Sequence, residues 1–171
     1  MKLRALLVLF ALGASPGTHA QALPELELKA TYAYNFAALT QWPSATRASF
    51  NFCVYGDDGL AEAMRRLQGK PLHGRSVVVA RLRSLSAIRE CDLLYVGKEE
   101  APSLPRIAEL LDDAPVLTVT DAPQPQPAAV VIVPEGQRLA FEVDVERCRR
   151  AGLRPGAALL GLARNLRGPA G

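Results

Sequence analysis

Two adjacent carboxylates hold the position in this chain that best suits ligand chemistry. Asp57 and Asp58 lie in a Gly-Asp-Asp-Gly sequence directly after the apolar run Ser49–Tyr55, which is typical of a buried strand. Ligands of open α/β sheets bind beyond the carboxyl ends of the strands. We therefore predict a pocket formed by Tyr55, Asp57 and Asp58, in which the carboxylates would repel a phosphate but attract a cation or an amine. In the alternative interpretation, one aspartate only caps the helix that follows.

Other arrangements typical of catalysis or metal binding are missing from the sequence. His73 is the one histidine after residue 22, and it lies in a Pro-Leu-His-Gly-Arg sequence that is typical of a turn. No Gly-x-Ser-x-Gly sequence follows residue 22 to present a serine nucleophile, and no glycine-rich phosphate-binding motif is present. The cysteines are too far apart for a typical zinc site. We predict no catalytic residue, no metal and no cofactor.

Three cysteines, Cys53, Cys91 and Cys148, are the remaining reactive side chains. Cys53 lies in the first predicted strand and Cys91 directly before the third, and these two strands are neighbours in a flavodoxin-like sheet. A Cys53–Cys91 disulfide is therefore sterically possible, and closing a loop of about 38 residues would stabilise the fold by roughly 4 kcal/mol. Cys148 is predicted to face the core, and a bridge to another chain is the alternative.

The first 22 residues have the three parts of an export signal. Lys2 and Arg4 give a positive start, an apolar run follows, and small residues offer cleavage after Ala20 or Ala22. A retained anchor is the alternative, although the run is shorter than the roughly 20 apolar residues that span a bilayer. We expect residues 1–22 to be a cleaved signal peptide. Residues 23–171 would then form one soluble domain in an oxidising compartment, where disulfides persist.

The charge of the predicted domain argues against nucleic-acid binding. The chain has 20 basic and 17 acidic residues, and removing Lys2 and Arg4 from the 20 leaves 18 basic residues against 17. Proteins that bind nucleic acid usually carry a concentrated basic excess. The arginines between Arg147 and Arg167 are a local exception, which we interpret as solvated helix faces and helix ends.

The elements that would position these side chains alternate between strands and helices. Strands are predicted at 49–55, 75–82, 92–97 and 115–120, with helices at 59–68, 85–89 and 102–111 between them. Two later apolar runs, 129–133 and 138–143, predict an antiparallel hairpin at a sheet edge, followed by helices at 144–151 and 155–166. We therefore predict a single-domain α/β sandwich. Its mostly parallel, flavodoxin-like sheet has helices on both faces and a C-terminal antiparallel hairpin.

An aromatic segment at 29–43 is predicted to form the first helix and to end at Trp42, since Pro43 disfavours a helical conformation in the residue before it. Leu28, Tyr32, Phe36 and Leu39 share the helix face that we expect to pack on the sheet. The opposite face, which contains Tyr34 and Ala37, is also apolar. We therefore predict that Tyr34 and Ala37 contact a second copy of the chain or another partner.

A second apolar stripe is predicted on the last helix, and it includes Leu159, Leu160 and Leu162. Packing in the core is one interpretation of this stripe. The other is that part of it, including Leu160, stays exposed and docks a partner.

Short motifs follow one another along the chain. They are Tyr34-Asn35-Phe36, Trp42-Pro43, Phe52-Cys53-Val54-Tyr55-Gly56-Asp57, Cys91-Asp92-Leu93-Leu94-Tyr95, Val116 to Asp121, Arg138 to Glu142, and Leu159 to Arg164. In this order and spacing they resemble the YfiR family of small periplasmic proteins, across nearly the whole length after residue 22.

The resemblance implies a regulator and not an enzyme. The best-understood members of the family are periplasmic repressors that bind the sensor domain of an inner-membrane diguanylate cyclase and hold down the synthesis of cyclic di-GMP. Their release favours biofilm formation. The resemblance also implies a homodimer and an intramolecular disulfide, in agreement with a Cys53–Cys91 bridge. The alternative function is that of a periplasmic small-ligand sensor, with the pocket of Tyr55, Asp57 and Asp58 as its site.

Overall fold

Apolar strands alternating with short helices build the fold, which is seen in a computed structural model that describes residues 19–43, 47–123 and 126–168. The described helices are α1 (His19–Ala38), α2 (Asp58–Met64), α3 (Leu104–Leu111), α4 (Val145–Arg150) and α5 (Ala157–Leu162). The described strands are β1 (Thr40–Gln41), β2 (Ser49–Tyr55), β3 (Pro71–Leu72), β4 (Arg75–Leu82), β5 (Leu93–Val96), β6 (Leu117–Thr120), β7 (Val130–Glu135), β8 (Arg138–Asp144), β9 (Arg154–Pro155) and β10 (Asn165–Arg167). Short 3-10 helices occupy Arg65–Leu67, Leu85–Glu90 and Lys98–Ser103.

A mostly parallel sheet of eight strands forms the centre of the molecule, in the order β10-β8-β7-β6-β5-β2-β4-β3. Strands β4, β2, β5, β6 and β7 run parallel to one another. Strands β7 and β8 form an antiparallel hairpin. Strands β1 and β9 form a separate antiparallel pair. The predicted mixed α/β architecture is confirmed, and the narrower flavodoxin-like classification stays a prediction.

Two apolar layers lie on opposite faces of this sheet, since successive side chains of a strand point to opposite sides. Phe52 and Val54 of β2 belong to the layer covered by α1 and α2. Cys53, between them, belongs to the layer covered by α3. Because nearly every side chain of β5, β6 and β7 is buried, these strands read in sequence as continuous apolar runs.

The predicted end of the first helix was wrong, and its predicted faces were right only in part, since Phe36 is buried and Tyr32 and Leu39 pack against the core. Helix α1 ends at Ala38, because Thr40 and Gln41 pair with β9 and Leu39 accepts a hydrogen bond from Gly156 N at 2.7 Å. The face that packs on the sheet is rich in alanine: Ala30, Ala33 and Ala37 have no exposed surface. Leu28, which was predicted to pack there, is 39% exposed. Small side chains bring the helix backbone close to the sheet, and only Phe36 of the predicted large residues is fully enclosed with them.

The C-terminal region also differs from the prediction. The last helix, predicted at 155–166, ends at Leu162, and Asn165–Arg167 instead forms β10 parallel to β8. The hairpin is therefore not at the edge of the sheet. Leu159 is buried, whereas Leu162 is 70% exposed and Leu166 is 50% exposed. The apolar stripe is thus divided between the core and the surface.

Residues 1–18 of the predicted export signal lie outside the described residues, and cleavage after Ala20 or Ala22 stays a prediction. Among the residues that are described, no helix is both long and apolar enough to cross a membrane.

Candidate functional site

The side chains of the predicted ligand pocket make contacts within the protein. Asp57 Oδ1 accepts a hydrogen bond from Leu60 N at 2.8 Å and caps α2. Asp58 Oδ1 lies 2.5 Å from Arg81 Nε, and both residues line an open cavity of about 660 Å³. A Cβ at Gly56 would collide with the Glu100 side chain, so Glu100 packs against Gly56. Helix capping, the alternative interpretation, is confirmed for Asp57. Ligand contact by Tyr55, Asp57 and Asp58 stays a prediction.

A buried ion pair fastens α1 to the sheet near this edge. Lys29 Nζ donates to Asp121 Oδ2 at 2.7 Å and lies 2.6 Å from Glu25 Oε1. The side chains of Lys29 and Asp121 are 10% and 7% exposed. Tyr95 is fully buried, and its hydroxyl has no hydrogen-bond partner among the described residues. Burial raises the pKa of Tyr95 well above its ordinary value, and the Asp121 charge adds to this.

These groups predict a loss of stability at alkaline pH. Burial lowers the pKa of Lys29, but hydrogen bonds to Asp121 and Glu25 outweigh it, so the net pKa is raised above 10.5. The stabilisation is fully present below the pKa of an unfolded lysine, about 10.4, and is lost as pH rises through the folded pKa. The free energy of unfolding in urea, measured at about pH 8 and about pH 11, should fall less between the two pH values for Lys29→Met than for the wild type. The exposed Lys98→Met is the control, and it should lose as much as the wild type.

An open apolar groove lies between α1, β8 and α5, and we name it the α1–α5 groove. Its cavity has a volume of about 380 Å³. The lining residues are Tyr32, Asn35, Phe36, Leu39, Glu135, Arg138, Leu139, Ala140, Phe141, Leu159 and Leu162. The floor is aromatic, with the Phe36 and Phe141 ring centroids 4.8 Å apart. Because Tyr32 Oη donates to Leu139 O at 2.8 Å, the wall of the groove is fixed to the hairpin.

The three residues predicted to contact a partner lie in different environments. Ala37 has no exposed surface, so it offers nothing for a partner to touch in this fold. Tyr34 is half-buried, with its hydroxyl donating to Pro71 O at 3.1 Å and Lys70 Nζ 5.7 Å from its ring centroid. Leu160 is half-buried on α5, beside the groove-lining Leu159. Contact through Tyr34 and Leu160 stays a prediction. The sequence stripe on α5 indicated the groove, although the adjoining residue Leu162 is the more exposed.

The predicted disulfide is confirmed. Cys53 and Cys91 are bridged, with Cα atoms 5.8 Å apart and a sequence separation of 38. Strands β2 and β5 are adjacent and parallel, which brings Cys91 beside Cys53. Cys148 is a free thiol with no exposed surface, and burial raises its pKa to about 12. A thiol that stays protonated at neutral pH and has no exposed surface is a core residue and not a nucleophile.

His73 lies in the predicted turn, with φ of 49°. Its Nε2 is 2.8 Å from Ala37 O, and its ring centroid is 5.7 Å from that of Trp42. Trp42 Nε1 donates to Pro115 O at 3.0 Å. The aromatic end of the first segment is thus a packing cluster. No group of three or more His, Cys, Asp or Glu residues that could hold a metal ion occurs in the part of the chain that the structure describes.

The family model described as YfiR/HmsC-like matches residues 26–164, which include every described element from the middle of α1 to α5. No curated protein matches the chain.

Proposed function

The chain belongs to the YfiR/HmsC-like family, a regulatory and non-catalytic family, and from this premise we propose that it is a periplasmic repressor. It binds the periplasmic sensor domain of an inner-membrane diguanylate cyclase and lowers the synthesis of cyclic di-GMP. The family points to a periplasmic regulator of cyclic di-GMP signalling in general. The cyclase, the repression and the contact surface are our proposal.

The α1–α5 groove is the observation that carries the proposal. Protein interfaces are built around a buried apolar and aromatic centre, with charged residues at the rim. The groove has an aromatic floor in Phe36 and Phe141, and Glu135 and Arg138 among its lining residues. Leu162 stands 70% exposed at one side, where it can enter an apolar pocket of a partner. Large apolar side chains gathered around an open cavity mark an interaction site more often than scattered ones do.

Repression follows from selective binding to one state of the cyclase. A repressor that binds the inactive conformation of the sensor domain more tightly shifts the equilibrium toward that conformation. The size of the shift is limited by the ratio of the two affinities, and an equal affinity for both states would change nothing. The repressor therefore needs no catalytic residue of its own.

Deletion of the gene tests the function. Cyclic di-GMP should rise in the deletion strain and return to the parental level when the chain is supplied from a plasmid. An unchanged level in a strain that normally makes the protein would contradict the proposal.

The groove itself is tested by Leu162→Glu. A carboxylate at the centre of an apolar contact is desolvated without a partner, so we expect binding to the cyclase periplasmic domain to weaken by about 30-fold or more, as for a typical interface hot spot. Binding is measured by titration calorimetry with the two purified periplasmic proteins. Leu166→Glu is the matched control, because Leu166 is also an exposed leucine but does not line the groove. If Leu162→Glu binds the cyclase periplasmic domain as tightly as Leu166→Glu does, the contact lies outside the α1–α5 groove.

The homodimer implied by the resemblance stays part of the proposal. If two copies associate through the same groove, Leu162→Glu should also shift the chain to a monomer in analytical ultracentrifugation, and the cyclase domain should compete with self-association. The small-ligand alternative keeps its predicted site of Tyr55, Asp57 and Asp58, and Asp58 lines an open cavity.

A further inference from the structure

A second, smaller cavity lies between α4 and the loop that joins α3 to β6, away from the α1–α5 groove. Its volume is about 100 Å³. Asp112 and Asp113 line it from the loop, and Arg147 and Arg150 line it from α4. The remaining wall is largely small and apolar, with four alanines among the lining residues. The sequence pattern predicts these arginines on solvated helix faces and at helix ends.

The opposite charges that line this cavity do not neutralise one another. Among the residues that the structure describes, neither Asp112 nor Asp113 forms an ion pair within 4.0 Å, and neither does Arg150. Arg147 has only a loose approach of its Nε to Asp144 Oδ2, at 3.9 Å. Two acidic and two basic side chains thus line one small space with no direct contact between the two sets.

The Arg147 side chain is short of acceptors. Its Nε is buried and has no hydrogen-bond partner among the described residues. Burial lowers the pKa of Arg147, Asp144 raises it in part, and the positive charges of Arg150 and Arg167 lower it further. A carboxylate bound beside Arg147 and Arg150 would offset the repulsion between the arginines.

The size of the cavity limits the ligand. An apolar cavity of about 150 Å³ holds benzene, which has six heavy atoms, so a space of about 100 Å³ holds a molecule of about four or five heavy atoms. Glycine is close to this size, and alanine is one heavy atom larger. A methyl side chain would also suit a wall built largely from alanine.

The charge pattern selects among small ligands. A phosphate dianion would be repelled by Asp112 and Asp113, and a metal cation would be repelled by Arg147 and Arg150. A molecule that carries one charge of each sign satisfies both sets. We propose that this cavity is a binding site for a small zwitterionic amino acid, with its carboxylate on Arg147 and Arg150 and its ammonium group on Asp112 and Asp113. The site is separate from the groove, and it does not depend on the cyclase as partner.

Titration calorimetry of the purified chain with glycine and L-alanine tests the proposal. We expect saturable binding of at least one of them. Acetate and methylamine, which each carry one of the two charges, should bind about tenfold more weakly or worse, because each can pair with only one of the two sets of charges. Phenylalanine should not bind, because its ring exceeds the cavity.

Two substitutions locate the site. Arg150→Gln and Asp113→Asn should each weaken binding by about tenfold or more. Arg106→Gln and Glu109→Gln are the matched controls, since they remove the same charges from exposed positions of α3 that do not line the cavity, and they should leave binding unchanged. Arg150 and Asp113 are both exposed, so their variants should melt within a few degrees of the wild type.

Three outcomes would overturn the proposal. They are the absence of saturable binding by glycine and L-alanine, acetate binding as tight as that of the amino acid, and unchanged binding in both Arg150→Gln and Asp113→Asn. If one variant fails to fold, the other variant and the comparison with acetate and methylamine still decide between a zwitterion site and none.

Discussion

Replacing both Cys53 and Cys91 with alanine is expected to lower the free energy of unfolding by about 4 kcal/mol. The bridge closes a loop with a sequence separation of 38 residues. Opening it restores the conformational freedom of that loop to the unfolded chain, which is the main source of the stabilisation in the chain-entropy description. The bridge also joins β2 to Cys91, which lies just before β5. Strands β2 and β5 are neighbours at the centre of the sheet, so the bridge holds this strand pair together.

Urea unfolding with and without dithiothreitol provides the measurement. The oxidised wild type should be the most stable sample. Dithiothreitol should lower its free energy of unfolding toward that of the double variant. The double variant itself should not respond to the reductant, because Cys148 is a free thiol in both proteins. If the double variant unfolds at the same urea concentration as the oxidised wild type, the bridge does not stabilise the fold.

The second large effect is expected from Asp92→Ala, with a loss of about 3–5 kcal/mol. Asp92 Oδ1 accepts from Arg75 Nη1 at 3.0 Å, and its Oδ2 accepts from Asn51 N at 2.8 Å. The side chains of Arg75 and Asp92 are only 8% and 5% exposed. Removal of the carboxylate would leave the Arg75 charge buried beside the Phe50 ring, 4.6 Å from its centroid, with no compensating anion within the same hydrogen-bonding distance.

Glu90→Ala is the matched control for this pair. Glu90 lies 3.7 Å from Arg47 Nε, but its side chain is 74% exposed. Exposed pairs contribute about 0–1 kcal/mol, so this variant should unfold close to the wild type. The pair variant Arg75→Met/Asp92→Leu should be less destabilised than the sum of the single variants, because it buries no lone charge. Additive losses would show that the two side chains act independently.

Two strands, Ser49–Tyr55 and Arg75–Leu82, form with the predicted bounds. A run of apolar, β-branched and aromatic residues between turn residues favours a strand. Strand β2 is largely buried on both faces, whereas β4 alternates buried and exposed side chains at its start. The Cys53–Cys91 bridge followed from the predicted order of the strands. Asp57 and Asp144 cap α2 and α4. Aspartate is one of the preferred residues at the N-terminal cap of a helix, so the sequence indicated both caps.

Prediction failed where long-range pairing competes with local preference. Trp42-Pro43 indicated the end of the first helix, but the pairing of Thr40 and Gln41 with β9 ends it earlier. No local pattern distinguishes Asn165–Arg167 from the end of a helix, and only the free edge of β8 makes it a strand. The faces of α1 were assigned by side-chain size, whereas close approach to the sheet favours alanine.

The candidate sites show the same division. The apolar stripe on α5 includes Leu159, which lines the groove. The other walls of the groove come from β8 and from α1, and α1 lies near the opposite end of the sequence. The strand-end pocket was predicted from a general property of α/β sheets, and Glu100 packs against Gly56 at this position. The sequence does not indicate this contact, because Glu100 is distant from Gly56 along the chain.

The two outer strands of the sheet bear on aggregation. A long unpaired edge strand is a template on which another chain can add, and at high concentration it leads to fibres. One edge here is the two-residue β3, whose Pro71 has no N–H to donate. At the other edge, β10 covers the end of β8, while Tyr32 Oη and Arg164 N occupy the carbonyl oxygens of Leu139 and Phe141. Both edges are therefore partly blocked, which disfavours strand addition by another chain.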